Sequence, residues 1–172
     1  MFVIIILTLV LNLNTKLFAL DVGDQDFSQR SVHHIDLSNS LIADDEIIKI
    51  LTYTSAITIK DVCRHIRKQI RMVEGSDSFF YINMSHNSIA DEGVRFLVSK
   101  IKKYNIVGLD LSHNSITDFG VFTLISSFID RIKSDPQFTM VISDNFGAND
   151  PNITRIIEAF SLQDYQSRIV HK

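Results

Sequence analysis

Ile82-Asn83-Met84-Ser85-His86-Asn87-Ser88-Ile89-Ala90-Asp91-Glu92-Gly93 lies without gaps on Leu109-Asp110-Leu111-Ser112-His113-Asn114-Ser115-Ile116-Thr117-Asp118-Phe119-Gly120. Seven of the twelve positions are identical, at an offset of 27 residues. Self-similarity at such a period is the mark of a repeat architecture, in which one unit is too small to bury its own apolar face. A degenerate copy starts at Met140 and keeps Ile142, Ser143, Asn145 and Ala148. Another starts at Ile35 and keeps Asp36, Leu37, Ser38, Ile42, Ala43 and Asp44. It stands 47 residues before Ile82, too far for one unit, and Ile57-Thr58-Ile59 with the helical pattern after it reads as a worn, shortened repeat in that gap.

The pattern inside each unit is a strand, a turn and a helix. In Tyr81–Ser85, alternation puts Ile82 and Met84 on one face and Tyr81, Asn83 and Ser85 on the other. Asn87, Asn114 and Asn145 recur at one place, where a buried amide supplies donors and an acceptor to backbone groups at the turn. Asp91 and Asp118 suit helix N-termini. Val94, Leu97, Val98 and Ile101 then recur at helical spacing, as do Val121, Leu124, Ile125, Phe128 and Ile132. Ile153, Ile156, Ile157 and Phe160 repeat it after Asp150-Pro151, with Pro151 placed for a first helical turn.

These two full units resemble the leucine-rich repeat of the ribonuclease-inhibitor-like subfamily, whose unit reads L-x-L-S-x-N-x-I-x-D-x-G before a helix. The resemblance covers residues 32–162 and weakens at both ends, where Ser40 replaces the asparagine and Pro151 the glycine. It implies a short α/β solenoid of about four repeats, with parallel strands on the concave side and helices on the convex side. It also implies a non-catalytic module that binds a protein partner through the strand face.

The rest of the chain bounds that reading. The 172 residues are 45% hydrophobic and 22% charged, with net charge −3, which suits one ordinary globular domain rather than a disordered chain. The balance gives no argument for nucleic acid as a partner. One cysteine, Cys63, excludes an intramolecular disulfide and a cysteine-rich zinc module. Phe2–Leu13 is uncharged and almost wholly apolar, then Ala19 offers a small residue for cleavage. A run of about a dozen residues is short for a membrane span, so 1–19 reads as a secretory signal and the protein as secreted. An uncleaved N-terminal anchor is the alternative, and the one expected route to membrane contact. Residues 20–31 would be a linker or N-terminal cap and 163–172 a C-terminal tail or cap; the acidic stretch Asp21–Asp26 belongs to the former.

The expected partner-binding stripe is His34, Asp36, Tyr81, Asn83, Ser85, Asp110, Ser112 and Val141, an irregular polar and aromatic mix. A merely solvated sheet face is the plainer reading. His86 and His113 share a repeat position, and with Asp36 or Asp110 they define the rival reading, a small metal-dependent or hydrolytic enzyme. No third tight ligand is specified, so neither a metal, a cofactor nor catalysis is expected. Lys60, Arg64, Arg67, Lys68 and Arg71 mark one helical face, fit for an anionic partner or a membrane surface, or simply solvated. Arg64 and His65 beside Cys63 would lower its pKa, although a packed thiol is the expectation; in a secreted protein it is also a candidate for an intermolecular disulfide. Asn83 and Asn152 both head glycosylation triplets, and Asn152, expected on an exposed turn, is the better acceptor.

Overall fold

The computed structural model describes residues 31–44, 57–73 and 78–171. The expected signal at 1–19, the cap residues 20–30 and the acidic stretch Asp21–Asp26 lie outside them. The chain runs β1 (Val32–Asp36), β2 (Ile42–Ala43), β3 (Ile57–Thr58), α1 (Ile59–Val73), β4 (Phe79–Asn83), α2 (Asp91–Ile101), β5 (Ile106–Asp110), α3 (Asp118–Ser134), β6 (Thr139–Val141), α4 (Asp150–Ala159), a 3-10 turn (Gln163–Arg168) and β7 (Ile169–Val170). This is a mixed α/β architecture around a five-stranded parallel sheet of order β1-β4-β5-β6-β7.

The two sequence periods account for the core. Ile35, Ile82, Leu109, Met140 and Ile169 are register partners across the sheet and all are buried. The helical positions at 94, 97, 98 and 101, and at 121, 124, 125, 128 and 132, bury against them. α1 adds Ile59, Val62, Ile66 and Ile70, and all join one continuous hydrophobic cluster. Consecutive helices α1, α2 and α3 pack side by side. A parallel neighbour requires a crossover, and each helix supplies one.

The first unit differs from expectation. Ile57–Thr58 does not form a rung of the main sheet; it pairs with Ile42–Ala43 in a separate two-stranded ribbon. β1 lies directly on β4, with Ile35 opposite Ile82. The cause is local: the Ile57 amide bonds the Leu41 carbonyl, in the turn that follows β1, so this stretch decorates the first unit. At the other end the expected tail supplies a fifth strand, because Ile169 and Val170 pair with Met140 and Val141. Arg168 holds it there by donating to the Ile132 and Asp135 carbonyls at the end of α3.

The asparagines tie unit to unit. Asn114 Oδ1 accepts from the Ile89 amide of the preceding unit at 2.9 Å, while Nδ2 donates to the carbonyls of Met84, Leu111 and Ser112. Asn87 spans the same gap, accepting from Ser40 and Ile42 and donating to Leu37. Asn145 accepts from Ile116 and donates to Leu111. Removing an amide that satisfies this many buried groups costs the desolvation of each one left unpaired. We expect Asn114→Ala to lose about 1–3 kcal/mol in urea unfolding, on the scale of a buried polar group stripped of its partner; an unchanged midpoint would count against the amide as the tie.

Asp91 and Asp118 open α2 and α3, as expected. Asp91 does not cap its own helix, whose N-cap Ala90 has no side-chain bond. Its Oδ1 accepts from the Thr117 amide of the following unit at 2.9 Å, and its other oxygen accepts from the Thr117 hydroxyl. Buried Asp44 does likewise, accepting from the Ala90 and Gly93 amides. Burial pushes its carboxyl above the ordinary 3.8, and the two amide donors partly oppose that rise. The repeat glycine follows from this contact. A methyl group at Gly93 would stand 2.0 Å from Asp44 Oδ1, and one at Gly120 2.3 Å from Asp91 Oδ1. In an ordinary helix Gly→Ala stabilises by about 1 kcal/mol. Here Gly93→Ala is expected to destabilise by about 1–3 kcal/mol, as overpacking does, with the sign of the thermal-melt shift as the check.

Candidate interaction surface on the strand face

Two rows of side chains cross the outward face of the sheet. Register aligns His34, Tyr81, Gly108 and Thr139 in the first row, and Asp36, Asn83, Asp110, Val141 and Val170 in the second. His34, Asp36 and Val170 are exposed, and Tyr81, Asn83, Asp110, Thr139 and Val141 half-buried. Ser85 and Ser112, expected on this face, are buried instead. The strands end at Asn83 and Asp110, so alternation stops before the serines, whose carbonyls accept from Asn87 and Asn114 within the turn.

The second row is built by its own hydrogen bonds. Asp36, Asn83 and Asp110 each accept, through Oδ1, from the amide two residues on, at 2.9, 3.0 and 2.9 Å. Asp110 Oδ1 also accepts from the Ser112 hydroxyl. Such Asx bonds turn the chain out of the strand, which explains an Asp or Asn at this position in three units. In the first row the Tyr81 ring lies across Gly108: a methyl there would be 2.2 Å from Tyr81 Cδ2. The His34 ring stacks on Tyr81 with centroids 5.2 Å apart. Burial, and then the Asp110 charge, raise the Tyr81 phenol above its ordinary value.

The histidines form a separate row on the turn. His86 and His113 stack at 4.0 Å and 13°, and His113 Nε2 lies 3.2 Å from Asp144 Oδ2. Asp110, the carboxylate expected beside them, is turned onto Ser112 instead. Asn39, His86, His113 and Asp144 share one repeat position, and all have φ between 51° and 55°. Left-handed backbone tolerates Asn, Asp and His far better than branched residues, so conformation explains the residue types here. Two nearly parallel imidazoles keep their in-plane lone pairs from meeting at one point. Among the described residues no three His, Cys, Asp or Glu side chains are grouped to hold a metal ion.

The remaining candidates fall elsewhere. Lys60, Arg64, Lys68 and Arg71 are exposed on α1, where Arg64 pairs with Asp61 at 2.7 Å; half-buried Arg67 donates to the Cys63 carbonyl. Cys63 is buried and its thiol is pushed up to about 12 by burial, which outweighs the neighbouring cations and leaves no exposed sulfur for a partner chain. Asn152 lies inside the first turn of α4, half-buried, with Nδ2 donating to the Gly147 carbonyl, so its amide is engaged rather than presented on an open turn. Among the described residues no helix is long and apolar enough to cross a membrane. Sequence reading did not find the exposed Phe119, Phe122 and Phe146, which no periodicity marks as a surface group. Comparison with family models, with curated proteins and with solved structures gave no match to this chain.

The left-handed slot gives a direct test. His113→Val, a branched residue at φ 51°, is expected to cost about 1–3 kcal/mol. His113→Asn should melt within about 0.5 kcal/mol of the parent, the range of an unstrained surface change. Equal effects of the two would show that the ring, not the backbone, matters there.

Proposed function

We propose that the chain is a short leucine-rich-repeat solenoid that binds a protein partner, without catalysis, through the strand face. The observation that carries this reading is the composition of the two outward rows. They juxtapose His34 and Tyr81 with Asp36, Asn83 and Asp110, then pass to Val141 and exposed Val170. Aromatic anchors with a polar surround are the usual make-up of a protein-binding patch. The recurring Asn, Asp and Gly positions, each given a contact between units, support the solenoid assignment over an unrelated α/β sheet. The apolar run Phe2–Leu13 and Ala19 support secretion of the mature protein.

A photo-crosslinker at position 36 or 83, and separately at position 133 on α3, tests the face. Exposed to fluid from the native source, the strand-face probes are expected to capture one partner that the α3 probe does not. Replacing His86 and His113 together by alanine should leave that capture intact; its loss would favour a site built on the histidines. N-terminal sequencing of protein recovered outside the cell should begin near Leu20. Recovery of the full chain with membranes would reject secretion in favour of an anchored protein.

A further inference from the structure

We propose that the Tyr81–His34 aromatic floor, with the Asp110 carboxylate beside it, is a subsite for an arginine side chain presented by the protein partner. This inference rests on the strand-face reading above and names what that face recognises.

Gly108 is the origin of the site. A side chain there would hold the Tyr81 ring upright, since even a methyl group would meet Cδ2 at 2.2 Å and Cε2 at 2.5 Å. Without it the ring lies down against β5. The exposed His34 ring stacks on Tyr81, 5.2 Å centroid to centroid and 28° between planes, and carries the aromatic surface to β1, the end strand of the sheet. A flat π surface carries negative potential on its face and takes a guanidinium by stacking and cation–π attraction.

Among the described residues, the charged side chains of the two outward rows are all carboxylates. Asp110 follows Gly108 by two residues on the same strand and same face, and its charge is felt at the Tyr81 phenol. Asp36 holds the equivalent place two strands away. None of the nine residues in the two rows is lysine or arginine, although the chain has 17. Those of α1 stand on a helix instead: Arg64, Lys68 and Arg71 are exposed there. The sheet face therefore attracts cations and repels anions, and its carboxylates are already oriented by the Ser38 and Ser112 amides. An Asx bond uses one oxygen and leaves the charge in place, so a bound guanidinium meets a fixed carboxylate rather than a freely rotating one.

The test uses isotope-labelled chain and two nonapeptides of glycine and serine, one carrying three arginines and the other three citrullines of the same shape without charge. The arginine peptide is expected to shift the amides of Tyr81, Gly108 and Asp110, and the citrulline peptide to leave them in place. Asp110→Asn keeps the acceptor for Ser112 and removes the charge; Gly108→Ala lifts the ring. Each should weaken the arginine peptide about fivefold or more. Should Gly108→Ala fail to fold, Tyr81→Leu reads the same loss of the π face, whereas Tyr81→Phe should bind as the parent does. Unchanged affinity in Asp110→Asn and Tyr81→Leu, or shifts confined to the acidic helix starts at Asp91, Glu92 and Asp118, would overturn the inference. If the crosslinkers at positions 36 and 83 still capture a partner in that case, only the arginine subsite is lost. If they capture nothing, the strand-face reading itself fails.

Discussion

The structure depends on how backbone groups are satisfied where the chain leaves the parallel sheet. A strand that turns away from its neighbour exposes amides and carbonyls that water cannot reach, and each must be paired. Asn87, Asn114 and Asn145 pair them with one amide side chain per unit, accepting from the previous unit and donating to both. The reach of an asparagine thus matches the spacing that strand pairing sets between units. A few residues on, the Asp44 and Asp91 carboxylates extend in the opposite chain direction, to amides at the start of the following unit's helix. The junctions spanned by Asn87 and Asn114 are thus clamped twice, once backward and once forward. The repeat glycine is a consequence, because the forward-reaching carboxylate occupies the place of its side chain.

Much of this was legible from residues alone. The inward strand positions, the helical stripes, the asparagine role and the first-turn Pro151 follow from period and chemistry, and the parallel sheet places them as expected. What a period does not encode is which unit a side chain reaches. Asp91 sits at a helix start in sequence, and only packing sends its carboxylate across to Thr117. Nor does alternation announce its own end, which is why Ser85 and Ser112 read as outward although the strands stop two residues before them. Ile57-Thr58-Ile59 carried strand composition without a partner code, and found the Leu41 turn rather than the sheet.

The histidine pair shows the same limit from the other side. Repetition at one position in successive units brings two rings together whatever the rings are for. Set beside Asn39 and Asp144, they mark a left-handed turn position, and the residue choice needs no ligand to explain it.

That economy does not extend to the first row of the strand face. Asp36, Asn83 and Asp110 have a structural reason in their Asx bonds, but Tyr81 has none of comparable force. Its half-buried ring lies over Gly108 and, among the described residues, bonds no turn and is outside the hydrophobic cluster. Here the tyrosine and glycine at one repeat position in successive units fit each other by shape, with a stacked imidazole beside them. Side chains held by local bonds and stacking lose little freedom when a partner arrives, which is where binding free energy is most often forfeited. The face also changes along its length, from His34 and Asp36 at β1 to Val141 and Val170 at β6 and β7. A partner matched to it would carry its cation toward the first strands and its apolar groups toward the last. On the proposed reading, the graded face would fix an orientation as well as a location.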